Sequence, residues 1–300
     1  MEYNQSQISD KKLHWYDRWY KTMLFIPVML LVICLIYLSL FYSQNNDIIY
    51  KDSSLSGGTT ITLKAELDVE SLEAYLKENV DTVNIRKITD ISTGKQLAIL
   101  IDSSAEPAVL EPLIENFIGY PLTIENSSIE FSGSSLGRNF YRQLVTAVLI
   151  SFVLMSLVIF VLFRTFIPSI AVIFAAFADI VMTLAMVDFL GIRLSVAGIA
   201  AFLMLIGYSV DTDILLTTAV LKKRGDTLNE RIYRSFKTGT FMTLTGLLAV
   251  IPAFFIVTGL PDSFRQIFLI LGIGLSADLI NTWLTNSSII KWYADYKKIN

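Results

Sequence analysis

The chain contains only one cysteine and one histidine in 300 residues. The lone cysteine, Cys34, excludes an intrachain disulfide, so any domain outside a membrane must depend on its own apolar core for stability. The sequence also lacks a phosphate-binding loop, a zinc-ligand spacing and a Ser-His-Asp set, so it shows no sign of the common hydrolase or metalloenzyme sites. We therefore expect a protein that is not an enzyme and that binds neither a metal nor a cofactor.

Charged residues are also scarce, at 17% of the chain, where roughly 25% is usual for a soluble domain. Hydrophobic residues make up 53%, and the mean hydropathy is +0.56. This composition predicts a polytopic α-helical membrane protein in contact with the lipid bilayer, and we expect no nucleic-acid partner. Six apolar segments are long enough to cross a bilayer: 23 to 42, 144 to 163, 167 to 190, 194 to 221, 241 to 260 and 266 to 290.

One predicted helix is separated from the other five by a polar, acidic insert. The insert, residues 43 to 137, holds 6 Lys and Arg against 15 Asp and Glu. Of the 18 basic residues elsewhere, 14 fall on one side of the membrane if the N-terminus is cytoplasmic, as the positive-inside rule requires. This charge distribution predicts a protein of the cell membrane with both termini in the cytoplasm. Its predicted parts are a cytoplasmic segment 1 to 22, a transmembrane helix 23 to 42, an extracytoplasmic domain 43 to 137, a five-helix bundle 138 to 290 and a cytoplasmic tail 291 to 300.

The insert alternates between strand and helix patterns in the order β-α-β-β-α-β, the ferredoxin-like motif. The predicted elements are a strand at 59 to 65, a helix at 69 to 79, strands at 81 to 88 and 96 to 102, a helix at 106 to 118 and a strand at 122 to 131. The small residues from 132 to 137 predict a hinge between this domain and the second membrane helix.

Four aspartates interrupt the apolar segments with no Lys or Arg beside them: Asp179, Asp211, Asp213 and Asp278. Each carboxylate at the centre of a bilayer costs roughly 2.5 to 3.5 kcal/mol, so such residues are functional candidates by default. Counting about 1.5 Å per residue along each helix puts all four near one layer of the membrane. Burial there favours the protonated form, so we interpret the four as candidates for a proton relay.

Asp211 and Asp213 cannot face the same neighbour, because two residues correspond to roughly 200° around a helix. Asp211 shares a face with Gly207, whereas Asp213 shares one with Ser209 and Thr217. The pattern does not decide between them. A second interpretation is that some of the aspartates only hydrogen-bond helices together, aided by Thr217, Thr218, Asn281 and Thr282.

The stretch Gly207-Tyr208-Ser209-Val210-Asp211-Thr212-Asp213 resembles the fourth-helix motif of SecF proteins, the smaller members of the SecD/SecF protein-export family, in its archaeal form. Gly57-Gly58-Thr59 is similar to the Gly-Gly-Thr opening of the external domain in that family. The likeness covers nearly the whole chain, including the one-plus-five arrangement of helices.

This resemblance implies one half of a twelve-helix assembly of the resistance-nodulation-division type, completed by a SecD-like subunit. It also implies that proton movement drives the external domain, which helps to pull a translocating polypeptide from the SecY translocon complex. In that picture Asp211 or Asp213 corresponds to the bacterial fourth-helix carboxylate. Where bacterial members carry an arginine at the start of the fifth helix, this chain has Thr238, with Lys237 beside it as the candidate cation partner.

Three other functions are compatible with aspartates inside membrane helices. A structural subunit could stabilise the SecY complex without conducting protons, in which case export would not depend on the proton gradient. Half of a small-molecule exporter of the same superfamily is a second alternative, although a single 95-residue insert is small for a substrate domain. An intramembrane aspartyl protease is disfavoured, because Gly272-Ile273-Gly274 is not followed directly by an aspartate.

Overall fold

The computed structural model describes residues 16, 18–90, 93–222, 227–256 and 262–298. Within these residues the six predicted apolar segments are confirmed as helices long and apolar enough to cross a membrane, with an α+β domain between the first and the second. Most of the predicted N-terminal segment, 1 to 22, and the end of the tail, 291 to 300, lie outside the described residues.

The α+β domain follows the first membrane helix, α1 (Phe25–Asn45), and has the predicted β-α-β-β-α-β order after one short helical turn. Its strands form one antiparallel sheet in the ferredoxin-like order, with the second, third, first and fourth strands of the chain side by side. The fourth strand begins later than predicted, because Asn126 closes a turn by accepting from Thr123 N and donating to Pro121 O. The elements are α2 (Ser53–Ser56), β1 (Gly58–Leu63), α3 (Val69–Lys77), β2 (Val83–Thr89), β3 (Gln96–Ser103), α4 (Pro107–Ile118) and β4 (Ser127–Ser132).

Alternation of side chains along the strands gives this sheet two different faces. Ile101 and its apolar neighbours pack against Leu72 and the rest of the inner surfaces of α3 and α4, which forms the core of the domain. On the opposite face Asp102 accepts a hydrogen bond of 2.8 Å from the Thr60 hydroxyl and pairs with Arg86 at 3.1 Å. This second, more polar face turns toward the ends of the membrane helices, where Arg86 lines a cavity together with residues of the bundle.

The membrane bundle consists of α1 and five further helices. These are α5 (Ser134–Phe163), α6 (Phe166–Phe189), α7 (Val196–Lys222), α8 (Leu228–Ile256) and α9 (Asp262–Ile280), which continues through a π-helical turn (Asn281–Asn286) into α10 (Ser287–Lys297). Of the six, α6 and α7 are largely buried and form the centre, and the last helix is about half buried. Helices α1, α5 and α8 present most of their surface to lipid or to another subunit. Alanines on α6, including Ala171 and Ala175, are fully buried and allow close packing.

Residues 132 to 137 are not a hinge, so that prediction is wrong. Helix α5 begins at Ser134 and includes Gly137, which is buried. A Cβ atom on Gly137 would lie 2.9 Å from the backbone nitrogen of Gly57, and one on Gly57 would lie 2.2 Å from Ser134 Cα. The small residues therefore allow the domain to pack closely on the first turn of α5. The side of the bundle that carries the domain is called the outer side.

Candidate functional site in the membrane bundle

Three of the four predicted aspartates meet in the middle of the bundle. Asp179 on α6, Asp213 on α7 and Asp278 on α9 are each at most 1% exposed. The fourth, Asp211, is exposed on the other side of α7. The four therefore do not form one group, and the name carboxylate cluster is used for Asp179, Asp213 and Asp278.

Asp179 is held by two hydrogen-bond donors from neighbouring helices. Its Oδ2 accepts from the Ser209 hydroxyl on α7. Its Oδ1 accepts from the Asn281 side-chain amide at 2.7 Å, in the π-helical turn. This carboxyl group thus joins α6 to both of the helices that carry the other two aspartates.

Asp213 and Asp278 share one hydroxyl group. Thr282 Oγ1 lies 2.9 Å from Asp213 Oδ1 and 3.1 Å from Asp278 Oδ1. Asp213 Oδ1 also accepts from the Asn286 amide at 2.8 Å. Asp278 is further approached by the hydroxyls of Thr212, at 3.2 Å from both of its oxygens, and of Thr243, at 3.4 Å.

Counting hydrogens shows that these bonds cannot all be made by ionised carboxylates. The Thr282 hydroxyl has one hydrogen and can donate to Asp213 or to Asp278, but not to both. If one carboxyl group is protonated, it donates to the Thr282 oxygen, and Thr282 donates to the other carboxylate. A single proton on the Asp213 and Asp278 pair therefore completes the hydrogen bonding around Thr282.

The two oxygens of the Asp213 carboxyl group differ in their surroundings. Oδ1 accepts from Thr282 and Asn286, whereas Oδ2 is buried and has no hydrogen-bond partner among the described residues. Asn286 Oδ1 and Thr217 Oγ1 are also buried without a described partner. A buried polar atom left unsatisfied costs about 1 to 3 kcal/mol.

The partners seen for the three carboxylates are hydroxyl and amide groups, and in the described part of the chain none is a cation. Lys237, the candidate cation partner, is exposed on α8 and makes no ion pair with a described residue. The face of α8 that does meet the site carries Gly239, where a Cβ atom would lie 2.6 Å from the ring of Trp283. Lys237 therefore does not reach the cluster, because it projects from another side of the helix.

The sequence pattern did not predict the π-helical turn. Asn281, Thr282 and Asn286 all lie in it, and each is fully buried. A π-helical turn widens the helix and is common at functional sites. The spacing of Asp278, Thr282 and Asn286, each four residues apart, was available as a signal for one polar helix face, whereas the π geometry was not.

Three residues of the motif at Gly207 to Asp213 face away from the cluster. Gly207, Tyr208 and Asp211 are exposed on α7, and a Cβ atom on Gly207 would meet nothing within 4 Å. Ser209 is buried and donates to Asp179. The motif thus supplies four residues to the interior, Ser209, Val210, Thr212 and Asp213, and three to an open surface of the bundle.

The Gly57-Gly58-Thr59 motif belongs to the junction between α2 and β1, far from the cluster along the chain. Gly58 has a φ of +131°, and a Cβ atom there would lie 2.1 Å from Ser103 O on the neighbouring strand. Only glycine fits such a position. Thr59 Oγ1 donates to Ala105 O at 2.6 Å and so fixes the start of the sheet.

Comparison with known proteins gives a consistent family assignment. Residues 115–296 match the family model described as protein export membrane protein SecD/SecF, C-terminal. The chain is 36% identical over 275 residues to the protein-export membrane protein SecF of Methanolacinia petrolearia, covering 91% of this chain and 93% of that protein. It is 35% identical over 277 residues to the SecF of Methanocaldococcus jannaschii, covering 91% and 95% of the two chains.

A solved structure confirms the fold. The chain superposes with a TM-score of 0.73 on the crystal structure of SecDF, a translocon-associated membrane protein from Thermus thermophilus. The sequences are 20% identical, and the match covers 93% of this chain but 38% of the larger SecDF chain. The chain is a multi-pass membrane protein that belongs to the SecD/SecF family as a SecF, a non-enzymatic accessory of protein export.

Proposed function

We propose that this SecF couples proton uptake and release at Asp179, Asp213 and Asp278 to movement of its external domain, and so assists protein export together with a SecD-like subunit. The observation that carries the proposal is that two separate hydrogen-bond networks involve the same three helices. One joins α6, α7 and α9 at the carboxylate cluster. The other joins the outer ends of the same helices to the segment that leads into the external domain.

The outer network is a junction of three segments. The backbone of residues 50 to 52 pairs with Leu194, in the loop between α6 and α7, through bonds of 2.7 and 3.0 Å. Ser54, in α2, accepts from the Val196 amide at 3.1 Å, where α7 begins. Gln266 of α9 accepts from Ser195 N at 2.8 Å and donates to Arg193 O at 2.5 Å.

This arrangement gives the cluster a path to the domain. Changing the charge of a buried cluster changes which hydrogen bonds its members can make and how strongly they repel one another. The helices that would move in response, α6, α7 and α9, are the ones whose outer ends contact the junction. A shift between them is therefore transmitted to the start of β1 by direct contacts.

A SecD-like subunit would cover the surface formed by Gly207, Tyr208 and Asp211. A carboxylate that faces lipid near the middle of a bilayer is costly, so a hydrogen-bond donor or a cation from another chain is expected there. The neighbouring Gly207 leaves room for a second helix to approach closely. Asp211 would thus serve assembly, and Asp213 would serve proton coupling.

In this orientation the termini lie in the cytoplasm and the domain, residues 43 to 137, lies outside the cell membrane. The acidic insert and the concentration of basic residues on the opposite side support this orientation. It brings the external domain to the side where a translocating polypeptide leaves the SecY translocon.

The test is export of a secreted reporter in cells whose only SecF is a variant of this chain. We expect Asp213→Asn to abolish the part of export that depends on the proton gradient while the SecD-like subunit still copurifies. Asp211→Asn is the same change two residues away. It should weaken copurification of the SecD-like subunit, but export by the complexes that still form should remain dependent on the proton gradient. Full gradient-dependent export by Asp213→Asn at normal expression would contradict proton coupling and favour a purely structural subunit.

A further inference from the structure

An apolar layer lies between the carboxylate cluster and the outer side of the bundle. Val187 on α6, Leu205 on α7 and Ile270 on α9 are each fully buried. Each lies eight residues outward of the aspartate on its own helix, which is about 12 Å at 1.5 Å per residue. Eight residues are a little over two helical turns, so each side chain lies on broadly the same side of its helix as the aspartate. The name outer layer is used for these three residues.

Leu205 is the member of the outer layer that lies nearest to an aspartate of the neighbouring helix. A Cβ atom on Gly274 would lie 2.5 Å from both Cδ atoms of Leu205, so the leucine packs against the bare backbone of α9 at that glycine. Gly274 is about one helical turn outward of Asp278. The methyl groups of Leu205 therefore fill the space between α7 and α9 about one turn outward of Asp278.

The inner side of the carboxylate cluster is more polar. Asn286, eight residues inward of the aspartate on α9, is fully buried and donates to Asp213. Thr217, one turn inward of Asp213 on α7, is fully buried, and its hydroxyl has no partner among the described residues. Apolar residues such as Val220 also lie on this side, but the Val220 carbonyl accepts a hydrogen bond of 3.0 Å from the Arg231 guanidinium. Polar groups thus continue inward from the cluster, whereas the outer layer contributes only apolar side chains.

The outer layer packs in one apolar core with the segment that leads into the external domain. Ile49, between α1 and α2, and Leu55, in α2, belong to this core together with all three residues of the outer layer. Leu55 is fully buried. Displacement of the domain from the bundle would therefore withdraw apolar side chains from the core that holds the outer layer together.

A hydrophobic constriction blocks the passage of ions by excluding water. We infer that the outer layer is a gate, which keeps the carboxylate cluster from exchanging protons with the outer side in this conformation and opens when the external domain is displaced. This inference rests on the proposed proton coupling and adds an order of events to it. Protons enter from outside only after the domain has moved, so entry without movement is prevented.

The test measures proton leak into proteoliposomes that contain the complex of this chain with a SecD-like subunit. A pH step is applied across the membrane, and a dye trapped inside the vesicles reports the rate of the pH change. Leu205→Asn places a polar side chain in the outer layer. We expect it to raise the leak by roughly 5- to 150-fold, the range that corresponds to satisfying one buried polar group. Adding Asp213→Asn should return the leak to the wild-type rate, because the cluster would no longer carry the proton.

Three further variants control for the site, the chemistry and the assembly. Leu205→Met keeps the position apolar at a similar volume and should not change the leak. Leu248→Asn makes the same exchange on α8, where Leu248 is 74% exposed, and should also leave the leak unchanged. Ile270→Asn repeats the test from α9, so that poor assembly of one variant does not decide the result. Copurification of the SecD-like subunit and monodisperse elution would establish that the variants are assembled.

Leu55→Asn tests the link between the gate and the external domain. Leu55 is not part of the outer layer, so it affects the gate only through the apolar core that the two share. We expect this variant to raise the leak above the wild-type rate, by less than Leu205→Asn does. An unchanged leak in the assembled Leu55→Asn complex would overturn the link to domain movement.

Two other outcomes would overturn the gate itself. One is an unchanged leak in the assembled Leu205→Asn and Ile270→Asn complexes. The other is a leak that persists after Asp213→Asn is added, because the outer layer would then not control access to the cluster. Neither outcome touches the proposed function, which is tested separately by the gradient dependence of export. Export by the wild-type chain that is independent of the gradient would overturn the proposed function, and this inference with it.

Discussion

Replacing Thr282 with valine removes the hydroxyl that Asp213 and Asp278 share while keeping the shape of the side chain. The hydroxyl lies 2.9 Å from Asp213 Oδ1 and 3.1 Å from Asp278 Oδ1, and its hydrogen can be donated to one of them at a time. Thr282 is fully buried, so no bulk water lies beside it to replace the lost donor. We expect gradient-dependent export to fall by roughly tenfold or more.

The size of the expected loss of export follows from the charge on the group that accepts the Thr282 hydrogen bond. A hydrogen bond to an ionised group contributes about 1.5 to 3 kcal/mol, which corresponds to roughly a 10- to 150-fold change in the balance between the two protonation states of the pair. The effect on stability is smaller, because hydrogen bonds between membrane helices average about 0.6 kcal/mol and reach about 1.7. Thr282→Val should therefore fold and assemble while losing most of its activity.

The assay is export of a reporter into inverted membrane vesicles, with and without a proton gradient, together with thermal unfolding of the purified chain. Thr282→Ser keeps the hydroxyl and should restore export. Thr245→Val is the matched control, because Thr245 is exposed on α8 and its hydroxyl donates at 2.6 Å to Phe241 O in its own helix. Wild-type, gradient-dependent export by Thr282→Val would refute the role of the shared hydroxyl.

Two further predictions concern the junction and the external domain. Burial raises the pKa of Asp52 from 3.8 to about 7, so the folded state holds a proton that the unfolded state has lost, and stability falls as the pH rises from about 4 to about 7. Asp52→Asn can still accept from Ser54 N and should flatten this pH dependence, with a gain above pH 7 of at most about 4 kcal/mol, measured by thermal unfolding from pH 5 to 8. Gly58→Ala should prevent β1 from pairing, because a Cβ would lie 2.1 Å from Ser103 O. Gly94→Ala, also at positive φ but with nothing within 4 Å, should cost only about 1 kcal/mol. Similar melting temperatures for these two glycine variants would show that steric contact at Gly58 is unimportant.

Hydropathy and local periodicity were sufficient to predict the membrane helices and the order of elements in the insert. A span of about 20 apolar residues must become a helix in lipid, because each backbone polar group has to be satisfied within the segment. Strand and helix patterns in the insert likewise depend on neighbours along the chain, and they predicted the ferredoxin-like order. The boundaries that were wrong, such as the start of β4, depend on a side-chain turn closed by Asn126.

The prediction of a hinge at residues 132 to 137 was wrong for a related reason. Small residues have the same local signature whether they provide flexibility or close packing. Gly137 lies against the backbone of Gly57, 80 positions earlier in the chain, and no local pattern reports such a contact.

The sequence by itself determined that carboxylates lie inside the membrane, because charged residues in apolar spans are visible without any knowledge of packing. It also determined that Asp211 and Asp213 face different directions, since the helical repeat places them roughly 200° apart. Only the tertiary structure decided that Asp213 faces inward. That choice depends on how α7 is rotated between α6, α8 and α9, and on a π-helical turn that brings Thr282 and Asn286 to one carboxylate. These are contacts between residues about 70 positions apart, so they exist only once the bundle is packed.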